Sequence, residues 1–348
     1  MKSSSRMKNM QIRSIKFPVF LIGLVLFFSC EKGLNQPDQS GYEIPVGFPE
    51  MPDPEGNEYT DLRWKLGQKL FFDTRLSKDN QVSCASCHKP ELAFADNRAA
   101  SPGAFNRPGV KNSPSLANVG YHPYFMREGG VPTLEMQILV PIQEHNEFAH
   151  NIVDICDSLQ DDPVYSAWSS EAYARSFDPF VLTRALAMFE RSLISGASRY
   201  DVFNNGGSGA LTSIELEGRA LFFSERTNCS TCHSGFLFTD FDFKNNGLDT
   251  VDSDIGRERL TSDPLDRYTY KTPSLRNVAI TGPYMHKGQF HSLGEVIDHY
   301  NSGGFISVYK DPLIRPLGLT PREKDALVAF LGSLTDEKFI SREWTGIE

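Results

Sequence analysis

The chain contains 348 residues, and 35 Lys and Arg residues against 44 Asp and Glu residues give it a formal net charge of −9. This length allows two domains of ordinary size, each with its own core. The acidic balance argues against nucleic acid as a partner.

Residues 1–30 have the order of a lipoprotein export signal. Five cationic residues and no acidic one precede an apolar run from Phe17 to Phe28, and Cys30 follows after one serine. This order predicts a secretory signal peptide, after which the lipidated Cys30 holds the protein at a membrane. A transmembrane anchor is the alternative, but the run is short for a bilayer. We therefore expect a periplasmic or outer-membrane lipoprotein whose remaining chain has a net charge of −14, since five cationic residues are lost.

The rest of the chain divides into a tether and two predicted domains. Residues 31–59 are rich in proline, glycine and acidic residues, which predicts a flexible tether. The segment NNGGSG (204–209) marks a boundary between a first domain, 60–205, and a second domain, 206–348. Capping residues and apolar periodicity predict helices that start at Thr60 or Asp61, Thr133, Asp178, Thr212, Ser292 and Thr320. No convincing run of alternating strand residues appears, so the predicted class is mainly α.

Two Cys-x-x-Cys-His motifs occur, SCASCH (83–88) and NCSTCH (228–233). In this motif the two thiols form thioethers with haem and the histidine becomes the proximal iron ligand. Zinc or thioredoxin-type chemistry is the alternative, but zinc needs further ligands and redox motifs do not need the histidine. The motifs predict two covalently bound c-type haems, held by Cys84, Cys87, His88, Cys229, Cys232 and His233. The remaining Cys156 lies in an apolar phase and is expected to be a buried thiol.

The sequence around the motifs is duplicated. Each motif follows a predicted helix that ends in Leu-Phe-Phe, and NSPSLANVGYHPYFMREGG (112–130) aligns with KTPSLRNVAITGPYMHKGQ (271–289). This duplication predicts two cytochrome-c-like domains, each with one haem. The polar segment 245–267 has no counterpart in the first half, and it is either a surface loop or a docking element.

The sixth iron ligands decide what each haem does, because an iron open on one side binds peroxide while a six-coordinate iron transfers electrons. The loop SPGAFNRPG (101–109) offers no iron ligand, so the first haem is expected to be open. Acids that could act there as a general base are Glu128, Glu135, Glu144 and Glu147. Candidates for the sixth ligand of the second haem are Met285, His286, His291, His299 and Tyr300.

The ordered series of motifs resembles the bacterial di-haem cytochrome c peroxidases and MauG over residues 62–334. It includes LGQKLFFDTRLSKDNQVSCASCH (66–88) and KTPSLRNVAITGPYMHKGQF (271–290). The resemblance implies two cytochrome-c-like α domains with a calcium ion between the haems. Relatives are often dimers, so a homodimer is also an expectation.

The resemblance also implies roles for single residues. Glu147 matches the essential distal glutamate, Gln137 the glutamine that positions the oxygens, and Pro141 the proline of the peroxide pocket. Tyr300 falls at the sixth ligand of the second haem, where the peroxidases usually have Met and MauG has Tyr. The implied calcium ligands are the side chain of Asn112 and the backbone carbonyls of Thr281 and Pro283.

Three positions depart from the family pattern. Ala104 stands where many of these peroxidases have a distal His, which predicts an iron open without prior reduction. Arg127 replaces a Trp between the haems; it either stabilises negative charge on the departing oxygen or forms a salt bridge with Glu128 or a haem propionate. Thr227 replaces a surface Trp of MauG, which weakens a MauG-like attack on a protein partner.

We therefore expect a di-haem peroxidase that reduces hydrogen peroxide with electrons from a small redox protein, a cytochrome c or a cupredoxin. The alternative is a MauG-like enzyme that uses peroxide to oxidise a protein or an organic substrate. A third hypothesis, a non-catalytic electron carrier, requires both irons to be six-coordinate.

Overall fold

The computed structural model describes residues 41–248 and 254–344. The predicted signal peptide, Cys30 and residues 31–40 of the predicted tether lie outside these residues, as does part of the segment 245–267. No helix within the described ranges is both long enough and apolar enough to cross a membrane.

The described part of the chain is built almost entirely from helices and loops. Its helices are α1 (Asp61–Phe71), α2 (Cys84–Cys87), α3 (Leu134–Gln137), α4 (Leu139–Gln143), α5 (Ile152–Gln160), α6 (Pro163–Tyr173), α7 (Pro179–Arg191), α8 (Arg199–Asn204), α9 (Ser213–Phe222), α10 (Cys229–Cys232), α11 (Glu258–Thr261), α12 (Leu293–Ser302), α13 (Pro321–Gly332) and α14 (Glu337–Ile340). Two short strands, β1 (Phe243–Lys244) and β2 (Tyr270–Lys271), pair antiparallel with Phe243 opposite Lys271. The mainly α class is confirmed.

The predicted capping residues begin the helices as expected. The Thr60 hydroxyl accepts a hydrogen bond from Arg63 N, and the Asp178 carboxylate accepts one from Val181 N. Capping boxes start α9, α12 and α13, each with a glutamate three residues after the cap. A side chain that satisfies a free N–H group stabilises a helix start by about 1 kcal/mol, which is why these starts are legible in the sequence.

The duplicated helices pack in the same way in both halves. The helix before the first motif, α1, lies against α7, and the helix before the second motif, α9, lies against α13. Both crossings depend on a glycine: a Cβ atom at Gly67 would lie 1.9 Å from Ala185 O, and one at Gly218 would lie 1.8 Å from Ala326 O. The chain therefore repeats one close helix pair beside each motif.

Each helix pair closes over its own aromatic core. Phe71 and Phe189 meet at 5.0 Å between ring centroids in the first core, as Phe222 and Phe330 do at 5.1 Å in the second. All four rings are buried. Burying an aromatic ring of this size stabilises a fold by about 1.5–3 kcal/mol, so these rings are a main source of stability in each half.

The asparagine of the repeated Pro-Ser-Leu-x-Asn segment fastens the loop after each motif to the end of a helix. Asn118 exchanges side-chain hydrogen bonds with Ser195 N and Ser195 O, just beyond α7. Asn277 accepts from Asp336 N at 2.8 Å, beyond α13, and donates to the Ser195 hydroxyl at 2.9 Å. The sequence duplication is therefore a structural one.

The end of the described chain returns to the first half. Phe339 on α14 and Trp344 are both buried in the first core, where Trp344 lies 5.2 Å from Phe94 between ring centroids. The domain division between residues 205 and 206 stays a prediction. Phe339 and Trp344 show that the first core also uses side chains from beyond residue 206.

Candidate haem sites

The two Cys-x-x-Cys-His motifs adopt the same local structure. Each pair of cysteines spans one short helix, α2 or α10, and the histidine follows directly. His88 Nδ1 lies 2.9 Å from Phe94 O, and His233 Nδ1 lies 3.1 Å from Phe238 O. Because a carbonyl only accepts, each Nδ1 must donate, which leaves the Nε2 lone pair to bind a metal. This is the orientation that a proximal iron ligand needs.

The thiols fit haem attachment better than the alternatives. Cys84 and Cys229, the first cysteine of each motif, pack against the hydrophobic core of their own half. No disulfide joins any of the five cysteines of the described residues, and no cluster of three or more His, Cys, Asp and Glu side chains there could hold a metal. Cys156 is buried as predicted, and burial raises the pKa of its thiol to about 12.

The side chains expected around the first haem come from α3, α4 and the following turn. Gln137 ends α3 and Pro141 lies four residues later on α4, so both are on one helical face. The turn is fixed by hydrogen bonds from Glu147 N to Glu144 O at 3.0 Å and from Phe148 N to Pro141 O at 3.1 Å. These bonds hold Glu147 beside Pro141, so the three predicted residues belong to one unit.

The loop that contains Ala104 packs against Glu147. Ala104 N donates to Glu147 O at 2.6 Å, and a Cβ atom at Gly103 would lie 2.1 Å from Asn146 O. Ala104 itself is fully buried. The position that the family resemblance aligns with a distal histidine thus lies next to Glu147, and in this chain its side chain is a methyl group that cannot bind iron.

Glu147 is exposed to solvent, yet many protein atoms surround its carboxyl group, as is typical of a residue that lines a cleft. Burial of its carboxyl group, and to a smaller extent the nearby charge of Glu144, raise its pKa to about 6. Its charge also acts on the Cys87 thiol, whose pKa is raised by burial first, then by Asp96 and Glu147. The glutamate therefore lies within electrostatic range of the first motif.

Two candidate ligands for the second haem meet at one amide group. Asn246 Nδ2 lies 3.3 Å from Met285 Sδ and 3.5 Å from Tyr300 Oη. The pKa of Tyr300 is raised, chiefly by burial, and also by the Cys229 and Cys232 thiols, which shows that the phenol lies near the second motif. Tyr300 and Met285 are thus brought together beside this motif.

The histidine candidates have other positions. His299 Nε2 lies 3.0 Å from Asn246 O, and His286 is buried with its ring stacked on Tyr270 at 4.2 Å between centroids. His291 is exposed and precedes the capping box of α12. The contacts of His299 and His286 and the exposure of His291 leave Tyr300 and Met285 as the favoured candidates.

The residues expected to bind calcium are close together, but their oxygens have other partners. Asn112 Nδ2 donates to Pro283 O at 2.7 Å, and the Arg127 guanidinium donates to Asn112 O at 2.8 Å and also to Asn112 Oδ1. Glu128 pairs with Lys111. Thr281 follows a short 3₁₀ helix, Val278–Ile280. The carbonyl and amide oxygens are suitable calcium ligands by type, but two of the three are already hydrogen-bonded.

A positive charge at this place also works against a bound cation. Two like unit charges about 4 Å apart repel by roughly 4 kcal/mol at an effective dielectric constant of about 20, and a divalent ion doubles this repulsion. Burial lowers the pKa of Arg127 to about 10, a value at which the guanidinium still carries its charge at neutral pH. The arrangement of Asn112, Pro283 and Arg127 therefore does not fit a calcium site.

Sequence reasoning missed several residues of these sites. Asn246 lies in the polar segment 245–267, and Lys271 N donates to Arg127 O at 2.7 Å. Glu190 on α7 is buried near Cys84; burial raises its pKa to about 8, and its Oε2 has no hydrogen-bond partner within the described structure. Of these residues, only Glu190 could have been noticed in the sequence, because it is an acidic residue at a position of a predicted helix where the periodicity calls for an apolar one.

Comparison with known proteins supports the same family. The family model described as di-haem cytochrome c peroxidase matches residues 62–209. The methylamine utilization protein MauG of Methylorubrum extorquens is 34% identical over 309 residues, which cover 87% of each chain. The cytochrome-c peroxidase IdrP1 of Denitromonas iodatirespirans is 32% identical over 329 residues, 84% of this chain and 86% of its own.

Solved structures agree with these sequence matches. A MauG-like protein associated with microbial copper homeostasis is 32% identical, with a TM-score of 0.83 over 87% of this chain and 97% of its own. The di-haem peroxidase BthA of Burkholderia thailandensis is 24% identical with a TM-score of 0.70, over 83% of this chain and 90% of its own, and it supports the fold alone. The chain belongs to the family of di-haem cytochrome c peroxidases and MauG, enzymes that use c-type haem.

Proposed function

We propose that this protein reduces hydrogen peroxide to water with electrons from a small redox protein, a cytochrome c or a cupredoxin. The observation that supports this most directly is the position of Glu147, an accessible carboxyl group within electrostatic range of Cys87. Beside it, Ala104 provides no side chain that could close the iron. A proton-transferring group next to an open iron is what peroxide cleavage needs.

The residues of the motifs would hold the two haems covalently. Cys84, Cys87 and His88 would bind the first, and Cys229, Cys232 and His233 the second. When bound, the haems supply iron centres that bind peroxide and exchange electrons. The carbonyl oxygens of Phe94 and Phe238 keep each imidazole in the orientation that iron requires.

Glu147 would move one proton between the two peroxide oxygens. Its carboxylate would accept the proton of the inner oxygen and deliver it to the outer oxygen, which could then leave as water when the O–O bond breaks with electrons that a bound haem would supply. A carboxyl group with a pKa of about 6 is mostly ionised at neutral pH and returns the proton readily. Gln137 would hold the oxygens in position, and Pro141 would line the pocket.

Tyr300 would be the sixth ligand of the second haem. A tyrosinate ligand is rich in electrons and stabilises ferric iron, so this haem would store an oxidising equivalent or supply electrons to the first. Asn246 supports this role, because a hydrogen bond from Nδ2 at 3.5 Å favours the ionised phenol.

The second candidate function is a MauG-like oxidation of a protein or an organic substrate. Tyr300 favours it, since MauG has Tyr at this position. Thr227 argues against it, because its side chain is buried and donates to Leu221 O at 2.6 Å, which offers no surface relay for a hole. Consumption of two reduced donor proteins per peroxide distinguishes peroxidase activity from substrate oxidation.

We also propose that the protein is exported and anchored through a lipid on Cys30, with residues 31–59 as a tether and 60–205 and 206–348 as haem domains. Export agrees with c-type haem, which is attached outside the cytoplasm. Homodimer formation is part of the same proposal by family resemblance. Metabolic labelling with a radioactive fatty acid tests the anchor: label should enter the full chain, and Cys30→Ser should abolish it.

The proposed reaction can be tested on the purified di-haem protein. We expect ferric electron paramagnetic resonance to show one high-spin and one low-spin haem, both changing after one equivalent of peroxide. Glu147→Gln should keep both haems and lose turnover by about 10²- to 10⁴-fold. Glu91→Gln, an exposed acid on the turn after the first motif, is the matched control and should retain turnover. Two low-spin signals that ignore peroxide would instead indicate an electron carrier.

A further inference from the structure

Arg127 forms a contact that the proposed reaction does not use. Its Nη2 donates to both oxygens of Asn112, the backbone oxygen at 2.8 Å and the side-chain oxygen Oδ1. Asn112 is buried and belongs to the repeated segment after the first motif. A guanidinium is planar, keeps its charge and directs several N–H groups in fixed directions, so one residue can satisfy both oxygens.

This contact continues from the first half of the chain into the second. Asn112 Nδ2 donates to Pro283 O at 2.7 Å, and Lys271 N donates to Arg127 O at 2.7 Å. Lys271 Nζ also donates to Tyr124 O at 2.9 Å. Residues 112–127 and 271–283 are therefore joined by direct hydrogen bonds. One of these bonds links Asn112 and Pro283, two of the residues where the family resemblance implies an ion.

The region around Arg127 already carries more cations than acids without a divalent ion. The Lys271 ammonium lies within electrostatic range of Arg127, so two cations share this region. Glu128, the acid whose charge acts on Arg127, forms an ion pair with Lys111, and Lys111 also pairs with Asp254. A calcium ion needs six to eight oxygen ligands, and it would have to displace these cations to obtain them.

We infer that the guanidinium of Arg127 replaces the calcium ion, so that this protein joins its two halves through Arg127, Asn112 and Pro283 without a divalent cation. A single substitution, Arg127 in place of the family's Trp, would then account both for the missing indole and for the missing ion site. The side chain that removes the expected aromatic relay also provides the positive charge and binds Asn112 Oδ1, the oxygen that calcium would have used.

The calcium content of the wild-type holoprotein is the first test. After dialysis against calcium-free buffer, elemental analysis should find far less than one calcium ion per chain. The midpoint of thermal unfolding should be the same in a calcium chelator and in excess calcium. One tightly held ion per chain, whose removal by the chelator lowers the midpoint, would overturn the inference.

A variant tests whether Arg127 is the reason. Arg127→Gln removes the charge and frees Asn112 Oδ1, so isothermal titration should detect one calcium ion per chain, and added calcium should raise the unfolding midpoint. Arg107→Gln is the matched control, because it removes a guanidinium that contacts His145 elsewhere, and it should stay indifferent to calcium. If the Arg127→Gln holoprotein neither binds calcium nor gains stability from it, the guanidinium does not replace the ion.

Discussion

The Arg276 guanidinium forms two hydrogen bonds with the Asp201 carboxylate, at 2.8 and 2.9 Å, and both side chains are buried. Asp201 lies on α8, just before the predicted domain boundary, and Arg276 belongs to the second Pro-Ser-Leu-x-Asn segment. Arg276 Nε also donates to Phe236 O at 2.6 Å. The pair therefore fastens the loop after the second haem motif to the helix that precedes the boundary.

Loss of one partner of this pair should destabilise the protein strongly. Arg276→Met leaves the Asp201 carboxylate buried and unpaired, so we expect the free energy of unfolding to fall by about 3–5 kcal/mol. Urea denaturation of the holoprotein, followed by circular dichroism, measures this change. Asp201→Asn combined with Arg276→Met should lose less, because no charge is left unpaired. Equal losses in the single and double variants would contradict this account.

The two helix crossings should tolerate no side chain at their glycines. A methyl group at Gly67 or Gly218 would overlap the carbonyl oxygen of Ala185 or Ala326, so each Gly→Ala variant should lose about 3 kcal/mol or more of unfolding free energy. At Gly332, which ends α13, no atom lies within 4 Å of the place that a Cβ atom would take. Gly332→Ala is therefore the control and should stabilise the protein by about 0.5–1 kcal/mol.

Local features of the fold were predictable from the sequence because their causes are local. The caps Thr60, Asp178 and Thr320 bind backbone N–H groups within three residues of themselves, so the pattern of side chains is enough to locate them. The duplication predicted two equivalent units, and the structure repeats the helix pair, the aromatic core and the asparagine contact in each. The haem motifs are local for the same reason.

Contacts between distant residues could not be predicted in this way. Nothing in the sequence around Trp344 indicates that its ring packs on Phe94 in the first core. Asn246 lies in a polar segment without periodicity, yet its amide contacts both Met285 and Tyr300. The departure at Arg127 was visible, but its binding to Asn112 depends on how the two loops fold together.

The pKa of Glu147 should appear in the pH dependence of turnover. The carboxylate is the proton-accepting form, so kcat/KM should fall as the pH decreases through about 6. The Glu144 charge contributes to the raised pKa, because a second negative charge disfavours ionisation of the first. Glu144→Gln should therefore move the acid limb of the profile to lower pH, while the plateau at neutral pH stays.

The opposite charge change gives the control for this profile. Lys78→Gln removes the charge of an exposed side chain that pairs with Asp154. Lys78 is not among the groups that raise the pKa of Glu147. It should leave the acid limb in place. An acid limb that does not respond to Glu144→Gln would mean that a group other than Glu147 controls the rate.

The identity of the sixth ligand at the second haem can be decided with three variants. Tyr300→Phe removes the oxygen but leaves Met285, whose sulfur lies 3.3 Å from the same Asn246 amide. If Tyr300 is the ligand, this variant should change the low-spin ferric resonance of the second haem, and its reduction potential should rise because an electron-rich ligand is lost. Met285→Leu alone should leave the resonance unchanged.

The double variant then separates loss of a ligand from exchange of ligands. If Met285 takes over in Tyr300→Phe, the iron stays low-spin with new g values, and only Tyr300→Phe combined with Met285→Leu becomes high-spin. If Met285 does not take over, Tyr300→Phe alone becomes high-spin. A resonance that changes in Met285→Leu and not in Tyr300→Phe would assign the sulfur as the native ligand. The second haem would then be easier to reduce, since a thioether donates less charge to ferric iron than a tyrosinate does.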